Sequence, residues 1–393
     1  MHSTLKVGRI TVALSLVAFG AGLLLDNLGW YTGAISWVAR LWPLILIGFG
    51  LEYLAYTALG ARQGADRRLR FDVGGAFLLA FIVLLSVGIT AARGFTWPNG
   101  VNFALPIGPQ ESVSGDKTIA LENAKTVKAD VGVGTITLQP AVRSGEVRIE
   151  YTYTASGFTA GTNMKDLLSQ IKLTVDNTGD TVRINSELPR GLNNVNLHYT
   201  LYLPTDLTVK LQTGAGRIEA TGYQGTLELT SNVGRIDVSA GAGSLTAVSG
   251  SGQIMVRDHS GPVSARTNVG SLDLVNINGA LQLDSGTGSI NVQEFRGGQL
   301  VAETRTGRID AQTASALAGN VSLKTNTGSV VLTVPKESSV RATAQTRTGS
   351  LAVPSFMSTS RSGTGGNAVG TNGDGAYTVS LEAGTGSVHF NVR

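Results

Sequence analysis

Gly-Arg-Ile-Glu at residues 216–219 returns as Gly-Arg-Ile-Asp at 234–237, Gly-Ser-Leu-Asp at 270–273, Gly-Ser-Ile-Asn at 288–291 and Gly-Arg-Ile-Asp at 307–310. The glycines that open this phrase and its variants are Gly216, Gly234, Gly252, Gly270, Gly288, Gly307, Gly328 and Gly349. Neighbours in this series are separated by 18, 18, 18, 18, 19, 21 and 21 residues. That period is close to one turn of a flattened β-solenoid and shorter than helical repeats of about 33 residues or more.

Apolar and polar residues alternate within each phrase, as in a half-buried β-strand. In the first phrase, Ile218 and Ala220 lie on one side of the strand, and Arg217 and Glu219 lie on the other. The apolar pair recurs as Ile236/Val238, Ile254/Val256, Leu272/Leu274, Ile290/Val292, Ile309/Ala311 and Val330/Leu332. A second Gly-led phrase, such as that at 225–229, lies halfway through most repeats. The pattern predicts an all-β fold, a β-solenoid or β-helix with rungs of about 18–21 residues.

Composition divides the chain into two unlike parts. Of 31 Lys and Arg residues, eight precede residue 95, whereas only four of 27 Asp and Glu residues do. The remaining 299 residues therefore carry 23 of each sign, and the net charge of +4 belongs to the first quarter. This balance predicts no nucleic-acid partner for the larger part. The absence of Cys excludes disulfides, thiol catalysis and Cys-ligated metals.

The first quarter, residues 1–94, contains apolar segments that predict a three-helix transmembrane anchor with spans at about 8–25, 36–56 and 74–92. The first could instead be a cleaved signal peptide, but two further apolar segments follow it. Residues 62–72 hold four Arg and two Asp, a composition typical of cytoplasmic loops. We therefore expect a multi-pass protein of the cell membrane, with a cytoplasmic N-terminus and an extracytoplasmic C-terminal domain.

Two segments within the first 60 residues carry a family resemblance. They are Asp26-Asn27-Leu28-Gly29-Trp30 and the run from Arg40 through Trp42-Pro43-Leu44 to Gly48-Phe49-Gly50. They resemble the LiaI/LiaF-like transmembrane region of bacterial envelope-stress proteins. The resemblance implies a place in the cytoplasmic membrane, in systems that sense damage to the cell wall.

Five sections follow the membrane quarter. Residues 95–125 contain three Pro and little alternation, which predicts a tether. Residues 126–210 are expected to form an irregular β-rich start with one helical turn at 164–170, and residues 211–355 the regular solenoid. The Gly/Ser/Thr/Asn tract at 356–376 predicts a disordered loop, and 377–393 predict closing strands at the open end.

The solenoid also resembles a known family over roughly residues 125–393. The features that carry the resemblance are Pro204-Thr205-Asp206, the repeated Gly-x-Ile phrases and the terminal Gly-Thr-Gly-Ser-Val at 384–388. They resemble the bacterial "putative adhesin" family, a domain of unknown function with a β-solenoid fold. The resemblance implies the fold, and the label of the family implies a surface-binding role.

The repeated phrases offer two kinds of candidate site residue. The eight opening glycines are interpreted as structural turn residues, because a Gly-x-Gly doublet that recurs in many rungs is a turn and not a phosphate loop. The outward carboxylates three residues after a turn glycine are Glu219, Asp237, Asp273 and Asp310. We favour a solvated charge ladder, since Arg217, Arg235 and Arg308 share the same strands. Cation binding through oxygen ligands, or acid/base work on a polysaccharide, is the alternative.

No nucleophile elbow, zinc-protease motif or grouping of the four histidines is present in the sequence. We therefore predict no catalytic residue, no cofactor and no metal, and a non-catalytic binding or scaffold protein of the cell envelope. Its expected partners are the lipid bilayer and a cell-wall polymer or surface glycan. Two alternatives remain: a regulator that contacts a membrane protein such as a sensor kinase through its helices, and an extracytoplasmic polysaccharide-active enzyme.

Overall fold

The structure is a computed structural model that describes residues 110–141, 145–156, 164–189, 192 and 195–393, together with scattered positions between 6 and 71. The chain divides into two compact units. One comprises Met1–Gln110 and Ser156–Met164, and the other comprises Glu111–Ala155 and Lys165–Arg393. The second unit contains the solenoid.

In the first unit, β1 (Lys6–Val7) pairs in parallel with β2 (Arg70–Phe71). The described helical positions of this unit fall in two groups: 11, 13, 14 and 17, and 47, 48, 50, 51, 52 and 54. Among the described residues, no helix has the length and hydropathy that a membrane crossing needs. The three-helix anchor is therefore not supported by the structure, since all of span 74–92 and most of 8–25 and 36–56 lie outside the described residues.

The second unit is a parallel β-solenoid. After β3 (Gln110–Ala120), its first section contains β4 (Thr126–Pro140), β5 (Glu146–Ser156), α1 (Met164–Ser169), β6 (Lys172–Thr178), β7 (Thr181–Glu187) and β8 (Val195–Leu203). The regular rungs are built from β9 (Thr208–Thr221), β10 (Thr226–Ser239), β11 (Leu245–Ser251), β12 (Ile254–Ser260), β13 (Val263–Val269), β14 (Leu272–Asn278), β15 (Leu281–Thr287), β16 (Ile290–Arg296), β17 (Leu300–Thr306), β18 (Ile309–Gln312), β19 (Val321–Thr327) and β20 (Val330–Val334). The last section contains β21 (Val340–Thr348), β22 (Leu351–Ala352), β23 (Met357–Ser362), β24 (Gly365–Asn372), β25 (Tyr377–Thr385) and β26 (Val388–Val392).

Successive rungs pair in parallel and in register on two faces. On the first face, Leu227 lies opposite Leu245, and the odd-numbered strands from β11 to β19 continue the row. On the second face, Ile236 lies opposite Ile254, and the even-numbered strands from β12 to β20 continue it. β9 and β10 run over both faces without a break. The predicted solenoid is thus confirmed.

The core consists of the predicted apolar stack. Ile218, Ile236, Ile254, Leu272, Ile290, Ile309 and Val330 form one fully buried row on the second face. Burial of each such side chain stabilises the fold by roughly 1.5–3 kcal/mol relative to exposure. Because the row runs without interruption from rung to rung, every rung depends on its neighbours for its hydrophobic contacts.

The regular stack begins earlier than expected. β4 pairs in parallel with β9 along almost its whole length, from Thr126 opposite Thr208 to Leu138 opposite Ala220. The prediction of an irregular section over 126–210 was therefore wrong for β4. The single-sequence signal failed because the repeat is interrupted between β4 and β9 by an insertion that contains β5 to β8. Within it, β7 and β8 pair in parallel with the two halves of β4, while β6 and β5 pair antiparallel to β7 and β8.

The predicted tether also contains regular structure. Residues 110–120 form β3, which pairs with β5, and the hydroxyls of Ser114 and Thr152 lie 3.0 Å apart. The sequence did not predict β3, because all of its residues are exposed or half-buried and it therefore lacks the alternation of apolar and polar residues that marks a strand. Residues 95–109 lie outside the described residues.

The C-terminal end departs from the predicted order. β25 and β26 pair in parallel with β19 and β20, and on their other side with β21 and β22. The last strands of the chain therefore lie inside the stack and do not close its end. The tract at 356–376, predicted to be a disordered loop, contains β23 and β24, which pair antiparallel to each other, while β24 pairs antiparallel to β21. Backbone pairing at an edge needs no apolar periodicity, so composition alone did not reveal these strands.

Candidate functional site

The turn glycines form one continuous column. All eight have φ between 142° and 152°, a region that residues with a Cβ rarely adopt. A Cβ placed on Gly234 would lie 1.7 Å from the carbonyl oxygen of Gly216, and the same close approach recurs at Gly252, Gly270, Gly288, Gly307 and Gly328. Gly134 extends the column beyond Gly216, and Gly386 lies in it between Gly328 and Gly349, with φ of 146° and 136°. The column therefore brings backbones of successive rungs together and leaves no room for a bound phosphate there.

A second column, of buried hydroxyl residues, runs beside the glycines and was missed in the sequence. Its members are Thr213, Ser231, Ser249, Thr267, Ser285, Thr304, Thr325 and Thr346, each at most 4% exposed. The hydroxyl of Thr325 donates to the carbonyl oxygen of Gly307 at 3.1 Å, and equivalent bonds of 2.9–3.4 Å join the other members from Ser249 onward to a glycine of the adjacent rung. The sequence does contain a signal for this column, because a Ser or Thr stands three residues before each turn glycine.

The candidate carboxylates do lie in one row of the second face. Glu219 lies opposite Asp237, and the row continues through Met255, Asp273 and Asn291 to Asp310. Only Glu219 and Asp237 are carboxylates on neighbouring strands of this row, about 4.8 Å apart. Met255 and Asn291 separate the other carboxylates from one another.

Arginines on the same strands neutralise three of these carboxylates. Arg217 Nη1 lies 2.9 Å from Glu219 Oε1, and Arg235 Nε lies 2.8 Å from Asp237 Oδ1. Arg308 Nη2 lies 2.6 Å from Asp310 Oδ2. The hydrogen bond to Glu219 raises the pKa of Arg217. These pairs are partly exposed, so each stabilises the fold by about 1 kcal/mol or less.

Asp273 is held by neutral donors. It accepts hydrogen bonds from Gln253 Nε2 at 2.5 Å, Ser271 Oγ at 2.9 Å and Asn291 Nδ2 at 2.7 Å. Among the described residues, no group of three His, Cys, Asp or Glu side chains could hold a metal ion. The geometry of the row therefore fits a charge ladder, and its capacity to bind a cation stays a hypothesis.

The buried titratable groups belong to the packing of the domain. Tyr223, buried at 1% exposure, donates its hydroxyl to the carbonyl oxygens of Pro204 and Leu207 at 3.0 and 2.9 Å, and burial raises its pKa. His259 is 2% exposed, and burial lowers its pKa. Its Nε2 lies 2.9 Å from the carbonyl oxygen of Gly243, while its Nδ1 has no partner among the described residues.

A groove of about 330 Å³ lies on the first face near the start of the stack. Arg183, Lys128 and Lys210 line it from β7, β4 and β9, with Glu228 and Asp130 beside them. Asn185, Gln212 and Thr230 add amide and hydroxyl groups. Sequence reasoning missed this groove because β7 and β4 lie outside the segment in which the repeat is visible in the sequence, and the pairing of β7 with β4 and of β4 with β9 is a property of the fold.

The two parts of the chain match two family models. Residues 127–391 match the family described as Toastrack DUF4097, and residues 10–54 match the LiaI-LiaF-like transmembrane region. Both resemblances seen in the sequence are thereby confirmed. No curated protein sequence matches the chain significantly.

Several crystal structures are similar to this chain. A "putative adhesin" from Bacteroides fragilis has 10% identity and a TM-score of 0.31, covering 71% of this chain and 97% of that one. A "putative adhesin" from Parabacteroides distasonis has 12% identity and a TM-score of 0.28, covering 72% and 98%. A "putative cell adhesion protein" from Clostridium sporogenes has 11% identity and a TM-score of 0.20, covering 72% and 100%.

Proposed function

The chain belongs to the Toastrack DUF4097 family and carries a LiaI-LiaF-like transmembrane region, and from this premise we propose that it is a membrane-anchored, non-catalytic binding scaffold of the bacterial cell envelope. Its β-solenoid is displayed on the outer side of the cytoplasmic membrane. There it binds an extended partner, such as a wall polymer or a surface glycan.

The observation that carries this proposal is the unbroken register of the rungs on both faces. Parallel pairing places equivalent side chains in straight rows at about 4.8 Å spacing, on a support that is stiff because each rung buries the next. Such rows repeat the same contact many times. They suit a long ligand better than a compact substrate, which needs groups that converge on one point.

The anchor in this proposal consists of the three spans predicted at 8–25, 36–56 and 74–92, with the Arg-rich loop at 62–72 in the cytoplasm. A contact in the first unit supports a helical hairpin. Glu52 Oε2 accepts hydrogen bonds from the backbone N–H and the hydroxyl of Thr11, at 3.1 and 2.7 Å. Thr11 lies near the beginning of the first span and Glu52 near the end of the second. The proposed topology places both positions at the cytoplasmic side.

Because the chain has no Cys, single substitutions to Cys can test the display of the solenoid directly. Arg305 is exposed, and the variant Arg305→Cys should react with a membrane-impermeant maleimide in intact cells stripped of their outer layers. Arg67→Cys, in the proposed cytoplasmic loop, is the matched control and should react only after lysis. Reaction of both variants before lysis, or of Arg67→Cys alone, would refute the topology.

A second candidate is regulation of an envelope-stress system through the membrane helices, which the LiaI-LiaF-like match over residues 10–54 favours. In that case, residues 1–94 expressed alone should change the output of a stress-response reporter. Crosslinking from the second span should capture another membrane protein, such as a sensor kinase. If residues 95–393 alone instead bind wall polymer, the scaffold role is favoured.

Polysaccharide hydrolysis is the least supported function, because Arg217 and Arg235 already hold Glu219 and Asp237 as ion pairs. If it occurred, Glu219→Gln and Asp237→Asn should abolish glycan turnover that the wild-type protein shows. Absence of turnover in the wild-type protein would remove this candidate.

A further inference from the structure

Three cations lie side by side in the groove of the first face. Arg183 lies opposite Lys128 in the pairing of β7 with β4, and Lys128 lies opposite Lys210 in the pairing of β4 with β9. Their strands are about 4.8 Å apart, so this cation row spans roughly 10 Å. Among the described residues, no other row of the solenoid places three cations on consecutive strands.

This arrangement costs stability, because like charges directly opposite one another repel. Elsewhere on the first face, two pairs of opposite charge face each other across rungs, Arg266 with Asp284 and Lys324 with Glu382, and the one like-charge pair among these residues, Asp284 with Glu303, has Arg266 and Lys324 on its two sides. The cation row has such a partner at one end, where Lys210 Nζ lies 2.6 Å from Glu228 Oε2. At the other end Asp176 lies opposite Arg183 in the strand register, without an ion pair among the described residues.

Lys128, the middle cation, therefore has a like charge on each side. Asp130 is its nearest acidic neighbour along the strand and also lines the groove. Asp130 belongs to the next row, where it lies opposite Gln212, which in turn lies opposite Thr230. Asn185 lines the same part of the groove from β7. The groove thus combines a row of cations with a parallel row of hydrogen-bonding groups.

These two rows differ in what they can bind. Guanidinium and ammonium groups form strong, short hydrogen bonds to phosphate oxygens, and an Arg can bind two of them at once. Amide, hydroxyl and carboxylate groups bind the hydroxyls of a polyol or sugar. A ligand with a phosphate beside free hydroxyls would satisfy both rows and relieve the repulsion among the cations.

We propose that the groove lined by Arg183, Lys128 and Lys210 is a binding site for a polyol phosphate group. The cation row binds the phosphate, while Asp130, Asn185 and Gln212 bind the neighbouring hydroxyls. This inference rests on the proposed binding role and adds its ligand class. The site lies at one end of the first face, so a longer ligand would extend from it along the rows of the solenoid.

The first test is binding by the full chain in phosphatidylcholine nanodiscs, measured by calorimetry with sn-glycerol 3-phosphate, inorganic phosphate and glycerol. We expect sn-glycerol 3-phosphate to bind most tightly, and Lys128→Gln to weaken its binding by about tenfold, as expected for loss of one charged hydrogen bond. Arg266→Gln is the matched control, with the same change in charge on the same face, and should bind like the wild type. Equal binding by all three proteins, or no binding by the wild type, would overturn the proposal.

The second test is stability without ligand. Because Lys128 is flanked by like charges, Lys128→Gln should raise the midpoint of urea unfolding, whereas Arg266→Gln should not. sn-Glycerol 3-phosphate should raise the midpoint of the wild type by more than that of Lys128→Gln at the same ligand concentration. A lower midpoint for Lys128→Gln without ligand would show that Lys128 supports the fold and would contradict a strained binding row.

The phosphate can come from a lipid or from a soluble polymer. If it comes from a lipid, phosphatidylglycerol in the nanodiscs should weaken the binding of sn-glycerol 3-phosphate to the wild type by competition. The binding to Arg266→Gln should be weakened to the same extent. If it comes from a polymer, the affinity should be independent of the nanodisc lipid. Either result supports the site and assigns its source. The topology test by Cys labelling is independent of these measurements, so failure of the site and failure of the scaffold proposal are distinguishable.

Discussion

At the scale of single residues, the buried Ser or Thr three residues before each turn glycine has a hydrogen-bond partner in some rungs and none in others. From Ser249 onward, the buried hydroxyls donate to glycine carbonyls of the adjacent rung, whereas the hydroxyls of Thr213 and Ser231 are buried without a partner among the described residues. Val131 fills the same position opposite Thr213 and is fully buried. The column therefore accepts an apolar side chain where the hydrogen bond is absent.

This difference predicts opposite effects for one substitution. Thr213→Val should raise the free energy of unfolding by about 1 kcal/mol, since it removes a buried hydroxyl that has no partner. Thr325→Val should lower it by about 1 kcal/mol, because it removes the 3.1 Å bond to Gly307. Urea unfolding of both variants measures the two effects. Changes of the same sign would show that hydrogen bonding does not control stability at this position.

His259 predicts a pH dependence of stability. Burial lowers its pKa below the usual value of about 6.5, so the unfolded chain binds a proton that the folded chain does not. The stabilising contribution is complete above pH 6.5 and falls as the pH drops below it. The loss cannot exceed about 1.4 kcal/mol per pH unit, the value for one proton.

The control variant for this prediction is His259→Phe, because Phe295 is buried in the same column two rungs further on. Unfolding free energies at pH 7.5, 6.5 and 5.5 should fall more steeply for the wild type than for His259→Phe. Parallel curves would mean that another group titrates, and would refute the role given to His259.

Some single-residue features could be predicted from the sequence and others could not. The turn glycines were identifiable because their spacing repeats and few other residues tolerate their conformation. A further left-handed column was not, because Ala240, Asp258, Asn276 and Glu294 occupy it with φ between 51° and 56°. These side chains share no chemical signature, so only the rung geometry shows that they are equivalent.

At the scale of elements, the antiparallel strands at the two ends protect the stack. A parallel solenoid has an exposed edge at each end, and such an edge can pair with another chain. β24 covers β21 at the C-terminal end, while β5 and β6 cover β8 and β7 at the other. These strands lack the repeat pattern, since their role is backbone pairing and not core formation. The sequence therefore predicted the rungs well and the end strands poorly.

Deletion of residues 357–372 tests the role of the end strands. The remaining segments 353–356 and 373–376 are together longer than the five-residue connection 335–339, so the last rungs can still form. We expect a folded protein that self-associates with rising concentration, because the edge of β21 becomes available. Light scattering measures the association, and circular dichroism shows whether the β-structure is retained.

The control adds Thr343→Lys and Gln345→Lys to the deletion. Both residues lie on β21, and a charged edge resists pairing with another strand. This combined variant should return to a monomer. Association that persists in it, or a deletion variant that stays monomeric at every concentration, would show that β23 and β24 do not serve as an edge cover.

At the scale of the whole molecule, the sequence predicted the architecture but not the order of the last rungs. The regular solenoid was expected to run without interruption over residues 211–355, so the rung of β21 and β22 was expected to stack on β19 and β20. In the structure, β25 and β26 take that place. Repeat periodicity specifies which residues face the core, but equivalent rungs can exchange positions without altering that pattern. Only the specific contacts of each rung decide the order.

This exchanged order affects how the domain can fold as it is made. In a simple solenoid, each rung can dock on the one before it as the chain emerges, so folding proceeds from one end. Here β21 and β22 cannot take their final place until β26 has been synthesised, because β25 and β26 lie between them and β19 with β20. The final step therefore requires every strand through β26. A polypeptide released before Tyr377 would lack β25 and β26, so the edges of β19 and β20 would stay unpaired and would present bare backbone to quality-control proteases.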